Sequence, residues 1–259
     1  MILRRSIRRC GFTLLELLAV IATIATLAAL LLPVLGRTKI KAQQTKCFSN
    51  LHQLGLAWSM YYGDNGGQLA ESYPSNNPDV WVQGNMTIDS EATNTALIQK
   101  GKLYPYNQNA AIYHCPGDKG VVIGGQTVPT VRSYSMNCFM GARDPNLSPI
   151  PDTAYGYVPF YAKDSDLPRP SDLWVLVDED ERSINDGFFV TDPTARIWFD
   201  FPAMSSHRHN FSFALEFGDG HSEIWRLQDP NSFLVSRNTT EQASNTDLQR
   251  LARASATPK

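Results

Sequence analysis

The chain has 259 residues, 42% of them hydrophobic, enough for one sizeable domain and a separate apolar segment. A formal net charge of −2 excludes a broad electrostatic attraction to nucleic acid. Of the four cysteines, Cys10, Cys47, Cys115 and Cys138, no two stand in the C-x-x-C spacing of a zinc ribbon or a redox pair.

Arg4, Arg5, Arg8 and Arg9 crowd the N-terminus ahead of any hydrophobic run. From Phe12 to Leu35 the chain is apolar and carries one charge, Glu16. At about 1.5 Å per residue this run reaches about 36 Å, long enough to cross a bilayer core. It exceeds the roughly 15-residue apolar stretch of an ordinary secretory signal. A carboxylate at bilayer depth costs about 3 kcal/mol, which marks Glu16 as a functional position. Pro33, near the end of the run, kinks a helix or weakens it locally. The flanking charges do not choose an orientation. Arg37, Lys39, Lys41 and Lys46 follow the run and balance the four arginines before it.

Gly11-Phe12-Thr13-Leu14-Leu15-Glu16 resembles the processing site of type IV prepilins and type II secretion pseudopilins. The resemblance implies that a prepilin peptidase removes residues 1–11 as a leader, cutting after Gly11, and methylates the new amine of Phe12. Glu16 is then the fifth mature residue, where the family carries its glutamate. Pro33 is the twenty-second, where many members carry a proline. The nearest cation for the Glu16 carboxylate is a Phe12 amine, its own or a neighbouring subunit's, and that contact would set the axial register of an assembly. Further implied partners are other pilin or pseudopilin subunits, an inner-membrane assembly platform and membrane lipid. The implied location is the bacterial cytoplasmic membrane, N-terminus inside and head outside, with a periplasmic or surface fibre after assembly. Such a chain is a structural subunit and not an enzyme. The alternative is a membrane-anchored extracytoplasmic module that binds polysaccharide or an envelope protein and polymerises little.

Residues 36–62 continue as an amphipathic helix beyond the 12–35 span. Ile40, Cys47, Leu51, Leu54, Trp58 and Tyr61 recur at steps of seven, four, three, four and three, one apolar stripe. Gly63-Asp64-Asn65-Gly66-Gly67 stops it. Two helices broken at Leu32–Gly36 are the alternative. Residues 63–235 form the head, and its sheet is the natural partner of the stripe. A short helix is expected within 91–103, strands at Arg132–Met136 and Leu173–Val177, and a long loop over 141–170. Phe211, Phe213, Leu215 and Phe217 alternate with Ser212, Ala214 and Glu216, the period of a strand. Asp219-Gly220 then makes a type I′ turn into a returning strand, His221 to Leu227. Residues 236–259 are polar and are expected to be disordered. The expected fold is α+β and pilin-like, a long N-terminal helix packed on a mainly antiparallel sheet.

Several groups carry candidate chemistry. His209 and Asp219-Gly220 resemble the H-x9-DG signature of a large group of prepilin-like proteins, a match that implies no activity. Cys115-Pro116 and Asn50-Leu51 resemble the same group. With 211–217 extended, His209 and Asp219 lie up to about 33 Å apart and share no metal; Asp229 is the expected neighbour of His209. Asp178-Glu179-Asp180-Glu181 reads as a solvated loop, with Ca²⁺ on Asp178 and Asp180 as the alternative that major pseudopilins suggest. His207, His209 and His221 are further transition-metal candidates. In an exported head, Cys115 and Cys138 are candidates to pair, closing a loop of about 23 residues worth roughly 3 kcal/mol, or else both stay as buried thiols. Cys47 is left over. Trp58, Trp81, Trp174, Trp198 and Trp225 fill a core or form a sugar-binding face. No P-loop, nucleophile elbow, zincin helix or dinucleotide fingerprint occurs.

Overall fold

The computed structural model describes residues 13–72, 79–141, 160–205 and 208–256. Two compact units are present, Met1–Lys39 and Ile40–Lys259. Helix α1, Leu14–Asp64, runs unbroken with Pro33 inside it, so the alternative of two helices does not hold. Its start is a reciprocal cap. The Thr13 hydroxyl accepts from the Glu16 N–H at 3.2 Å, and the Glu16 carboxylate accepts from the Thr13 N–H at 2.9 Å and its hydroxyl at 2.8 Å. Residues 13–39 are exposed, including every apolar side chain from Leu14 to Leu35. Among the described residues this is the one helix long and apolar enough to cross a membrane. Gly11 and Phe12 lie outside the described residues.

In the second unit the stripe is as spaced. Cys47, Leu51, Leu54 and Trp58 are buried, with Asn50, Gly55 and Ala57 beside them; Ile40 and Tyr61 are half-buried. The helix stops at Asp64, where Gly66 and Gly67 take positive φ and the Gly67 N–H returns to the Tyr62 carbonyl at 2.8 Å. Three short helices follow, α2 (Asp89–Ala92), α3 (Thr95–Gln99) and α4 (Tyr104–Asn107), then a hairpin of β1 (Val121–Ile123) and β2 (Gln126–Val128). A five-stranded sheet makes the centre: β3 (Tyr134–Asn137), β4 (Trp174–Asp178), β5 (Phe188–Phe189), β7 (Ser212–Phe217) and β8 (Ser222–Arg226), in the order β5-β3-β4-β7-β8. Every pairing is antiparallel except β3 with β5. Strand β6 (Ile197–Trp198) pairs with β9 (Thr240–Glu241), and α5 (Thr246–Arg253) closes the unit. The architecture is α+β. Much of the 141–170 loop, residues 142–159, lies outside the described residues.

The alternation along β7 has a cause that a one-sided sheet would not supply. All six residues of β7 are buried. Ala214 joins α1, Met136 and Leu176 in one core, whereas Phe213, Leu215 and Phe217 join Trp174, Val177, Leu248 and Leu251 in a second. Small residues therefore face the helix and large ones face the C-terminal segment. A bulge between Trp174 and Leu176 turns Val175 and Leu176 both toward the first core. All five tryptophans are buried in these two cores, so none forms an open aromatic face.

Two expectations are corrected. Residues 236–259 are not a disordered tail up to Ala256. Polar side chains there work as caps: Asn245 accepts from the Leu248 N–H, and Leu248 and Leu251 are buried on the sheet. The tail also supplies backbone acceptors, Leu251 and Ala254 to Trp174 and Ser255 to Asn137. The β7–β8 turn is not type I′. Three residues, 218–220, lie between Phe217 and His221, whose N–H and carbonyl pair at 2.8 Å; the Gly220 N–H bonds the Phe217 carbonyl at 3.0 Å, and of the turn residues Gly220 alone has positive φ, at 89°. That is a type I turn closed by a left-handed residue, which needs glycine at 220 and not at both central positions.

Helix and sheet pack tightly at Gly55. A Cβ there would stand 2.0 Å from the Glu216 carboxylate, which Ser222 holds by a short hydrogen bond. Gly55→Ala is expected to destabilise the chain by about 1–3 kcal/mol despite alanine's better helix propensity, and adding Glu216→Ala to recover most of the loss. Thermal melts of the chain in detergent micelles measure both. Burial raises the Glu216 pKa from 4.5 to about 8, against the Ser222 bond. The folded chain thus keeps a proton that the unfolded chain releases. Its contribution to stability is complete below pH 4.5 and is lost as pH rises through about 8. Glu216→Gln should flatten the decline of melting temperature over that window.

Candidate functional site

Where α1 crosses the ends of β3 and β4, the first core turns polar. Cys47 arrives from α1. Its neighbours Gln43 and Asn50 donate to the carbonyls of Pro116 and His114, at 2.8 and 3.1 Å, and so hold the loop that carries Cys115 against the helix. Asp178 ends β4 opposite Tyr134 on β3, and the Tyr134 hydroxyl donates to Cys47 Sγ at 3.3 Å. His209 comes from the turn before β7, where His209, Asn210 and Phe211 all have positive φ. Three consecutive non-glycine residues in the left-handed region are strained, by about 1–3 kcal/mol each. The turn spends that energy to aim a buried imidazole at the helix. Cys115 Sγ lies 3.0 Å from His209 Nε2, and that nitrogen lies 3.3 Å from Asp178 Oδ2.

The charge centre beneath these groups is Arg208, which is fully buried. It pairs with Asp178 through a short contact, with Glu181 at 2.9 Å and with Asp118 at 3.5 Å. Ser133 bonds Asp118 and accepts from the Cys115 N–H at 3.0 Å. Burial pushes the Asp178 pKa up, but Arg208 and His209 outweigh it and hold the carboxylate below its usual range. Burial likewise opposes charge on His209, yet Asp178 and Cys115 raise its pKa to about 9. Cys115 is lowered from 9.0 to about 6: burial acts against ionisation, while the Cys47 thiol, Arg208 and His209 favour it. Cys47 goes the other way, raised by burial and by Cys115 and Asp178. The pocket therefore brings two thiols with opposite pKa shifts, an imidazole and a carboxylate to close quarters. Cys47, Cys115, Asp178 and His209 each offer one ligand atom, all within 4.8 Å of one another.

The structure redistributes the candidates read from the sequence. His209 and Asp219 stand at opposite ends of β7, as expected of an extended strand. Asp229 is not the partner of His209: it binds Asn231 and Thr246, while His209 meets Asp178 and Cys115. Asp219 and Gly220 build the hairpin turn, and His221 pairs with Asp219 and Glu223 at the exposed end. His207 lies outside the described residues. The acidic run is not a solvated loop. Asp178 and Asp180 are buried against Arg208 and Arg182, whereas Glu179 is buried with its carboxyl accepting from the Ser183 hydroxyl and its pKa pushed well up by burial. Both oxygens of Asp180 are filled by Arg182 and the backbone N–H groups of Arg182 and Met204, which leaves it no lone pair for Ca²⁺.

Cys115 and Cys138 are not paired; both are free and buried, as is Cys47. Cys115 sits beside Ser133, five residues along an extended segment from Cys138, a separation of about 16 Å where a bridge needs about 6 Å. The partner missed from sequence is Cys47, which counted as one residue of an apolar stripe and as the cysteine left over from a Cys115–Cys138 pair. Arg208 was missed too. The signal available for it was an arginine between two histidines immediately before an apolar strand.

Comparison with protein-family models, with curated proteins and with solved structures finds no match for the chain.

Arg208→Met should cost about 3–5 kcal/mol, because Asp118 would stay buried without a cation and Asp178 with His209 alone. Asp178→Asn added to it should return part of that loss. Denaturant titration of both variants in detergent micelles tests this, and a loss below about 1 kcal/mol would mean that water reaches the acids.

Proposed function

We propose that this chain is a prepilin-like subunit, cut between Gly11 and Phe12, methylated on Phe12 and assembled through α1 into a type IV pilus-like or type II secretion pseudopilus fibre. One observation carries the reading. The first part of α1 presents apolar side chains on all sides, none of them buried by the chain, around a single carboxylate. An all-round apolar helix needs lipid or other helices as its surroundings. Lipid serves before assembly and neighbouring subunits after it. The orientation that goes with the leader places the N-terminus in the cytoplasm and the α+β head outside, and it makes prepilin peptidase and an inner-membrane platform the partners.

The Thr13–Glu16 cap refines the role of the carboxylate. In the single chain Glu16 is satisfied by its own first turn, which lowers the cost of holding it at bilayer depth. The amine of a neighbour's Phe12 is a stronger partner than a hydroxyl, because it is charged. Exchange of Thr13 for that amine would favour assembly and fix its register at once.

Two measurements test the reading. N-terminal sequencing of the chain from a host with a prepilin peptidase should begin at N-methylated Phe12; any other start defeats the leader assignment. Glu16→Val should be processed normally yet disappear from sheared fibres. Undiminished incorporation would defeat the register role and leave a membrane-anchored binding module as the better account.

A further inference from the structure

The convergence of Cys47, Cys115, Asp178 and His209 has no explanation in fibre assembly, and it lies wholly in the second unit. We propose that these four residues bind one tetrahedral divalent transition metal, with zinc the best fit, and that the metal fastens α1 to the sheet. The inference does not rest on the export reading.

The donor set is two sulfurs, one imidazole nitrogen and one carboxylate oxygen, the ligand types of a closed zinc site. With bonds of about 2.0–2.3 Å, the donors of a tetrahedral zinc lie about 3.3–3.8 Å apart. His209 Nε2 is 3.3 Å from Asp178 Oδ2 and 3.0 Å from Cys115 Sγ, so little movement admits an ion. Calcium does not suit the place, because a single oxygen ligand among sulfur and nitrogen is far short of its six to eight.

An independent observation points the same way. Asp178 is fully buried: Oδ1 is held by Arg208, whereas Oδ2 makes no well-formed hydrogen bond and has only the His209 imidazole, 3.3 Å away, facing it. That under-satisfied oxygen is the one that lies within the cluster of donor atoms. Contacts that orient metal ligands from outside are present for three of the four: Tyr134 on Cys47, the Gly117 N–H on Cys115 at 3.4 Å, and Arg208 on Asp178. The fourth, His209, is set by its left-handed backbone. Charge also favours a cation here: the carboxylates of Asp178, Asp118 and Glu181 face one buried arginine, and a dication bound by two thiolates and Asp178 adds no further negative charge beyond that of Asp178 itself. Binding displaces the remaining thiol and imidazole protons to solvent.

The experiment uses the full chain in detergent micelles, kept reduced, with zinc alone and then cobalt alone as probes. Elemental analysis should find zinc equimolar with the chain. Cobalt should give the strong visible bands of a tetrahedral site and a thiolate charge-transfer band. Cys115→Ser and His209→Ala should each weaken zinc binding by at least about tenfold. Cys138→Ser, which changes a buried cysteine outside the cluster, should keep the full zinc content. A folded, reduced wild-type chain that takes up neither metal overturns the proposal. Zinc binding that survives both ligand substitutions also overturns it, as does a Cys47–Cys115 disulfide in the chain isolated from its host. If the variants fail to fold, the cobalt spectrum of the wild type decides by itself.

Discussion

A guanidinium sealed from water must be surrounded by anions, and Arg208 imposes that demand on four separate parts of this chain. Asp118 comes from a loop, Asp178 from the end of β4, Glu181 from the segment after it, and Arg208 itself from the turn before β7. None of these acids is near the arginine in sequence. Removing the arginine leaves the acids buried without their shared cation, and such an imbalance costs more than most single packing defects. The sheet end, the Cys115 loop and the α1 stripe thus meet around one electrostatic requirement. The sulfur, nitrogen and oxygen donors gather where they do because the same residues serve both ends: Asp178 gives one oxygen to Arg208 and turns the other toward the thiols.

The second organising feature is that the central strands have no solvent face. β4 and β7 are buried on both sides, by α1 on one and by the C-terminal segment on the other. Size follows side. Ala214 and the glycine of the helix let α1 approach the sheet closely, while the aromatic residues fill the wider space opposite. Glu216 is the exception on the helix side, a carboxylate pressed against Gly55 and held by Ser222, with His52 at 3.5 Å. A polar residue in that position gives up stability at neutral pH.

What was legible in the sequence were the elements whose periodicity is local. The α1 stripe, β4, β7 and the returning β8 follow from spacing alone, and Gly66-Gly67 marks the helix end. What was not legible depended on residues brought from far away. The run at 178–181 looks like a solvated loop until Arg208 and Arg182 are placed beside it. The tail looks disordered because Asn245 and Asp247 are polar, yet they act as caps and as acceptors for the backbone of 228–229. Asp-Gly suits two hairpin turns, and loop length decides between them, which composition does not report. In the candidate site, His209 and Asp178 were singled out separately, Cys115 was matched to the wrong partner, and Cys47 was concealed by its hydrophobic neighbours. A small apolar-seeming thiol on a helix stripe is indistinguishable from core filling until the opposite wall is known.

The contacts that complete this unit span long stretches of chain. Gly55 meets Glu216, Asn137 waits for the carbonyl of Ser255, and Trp174 for those of Leu251 and Ala254. Loop-closure entropy has to be met before such pairs contribute anything, which slows folding. Neither core can close while residues beyond 245 are still being synthesised. Through that interval β4 and β7 expose apolar faces and unpaired edges to whatever surrounds them, the condition under which chains aggregate. An early-emerging apolar α1, held in a bilayer, would confine each nascent chain to its own patch of membrane and keep those sticky faces apart until the last helix arrives.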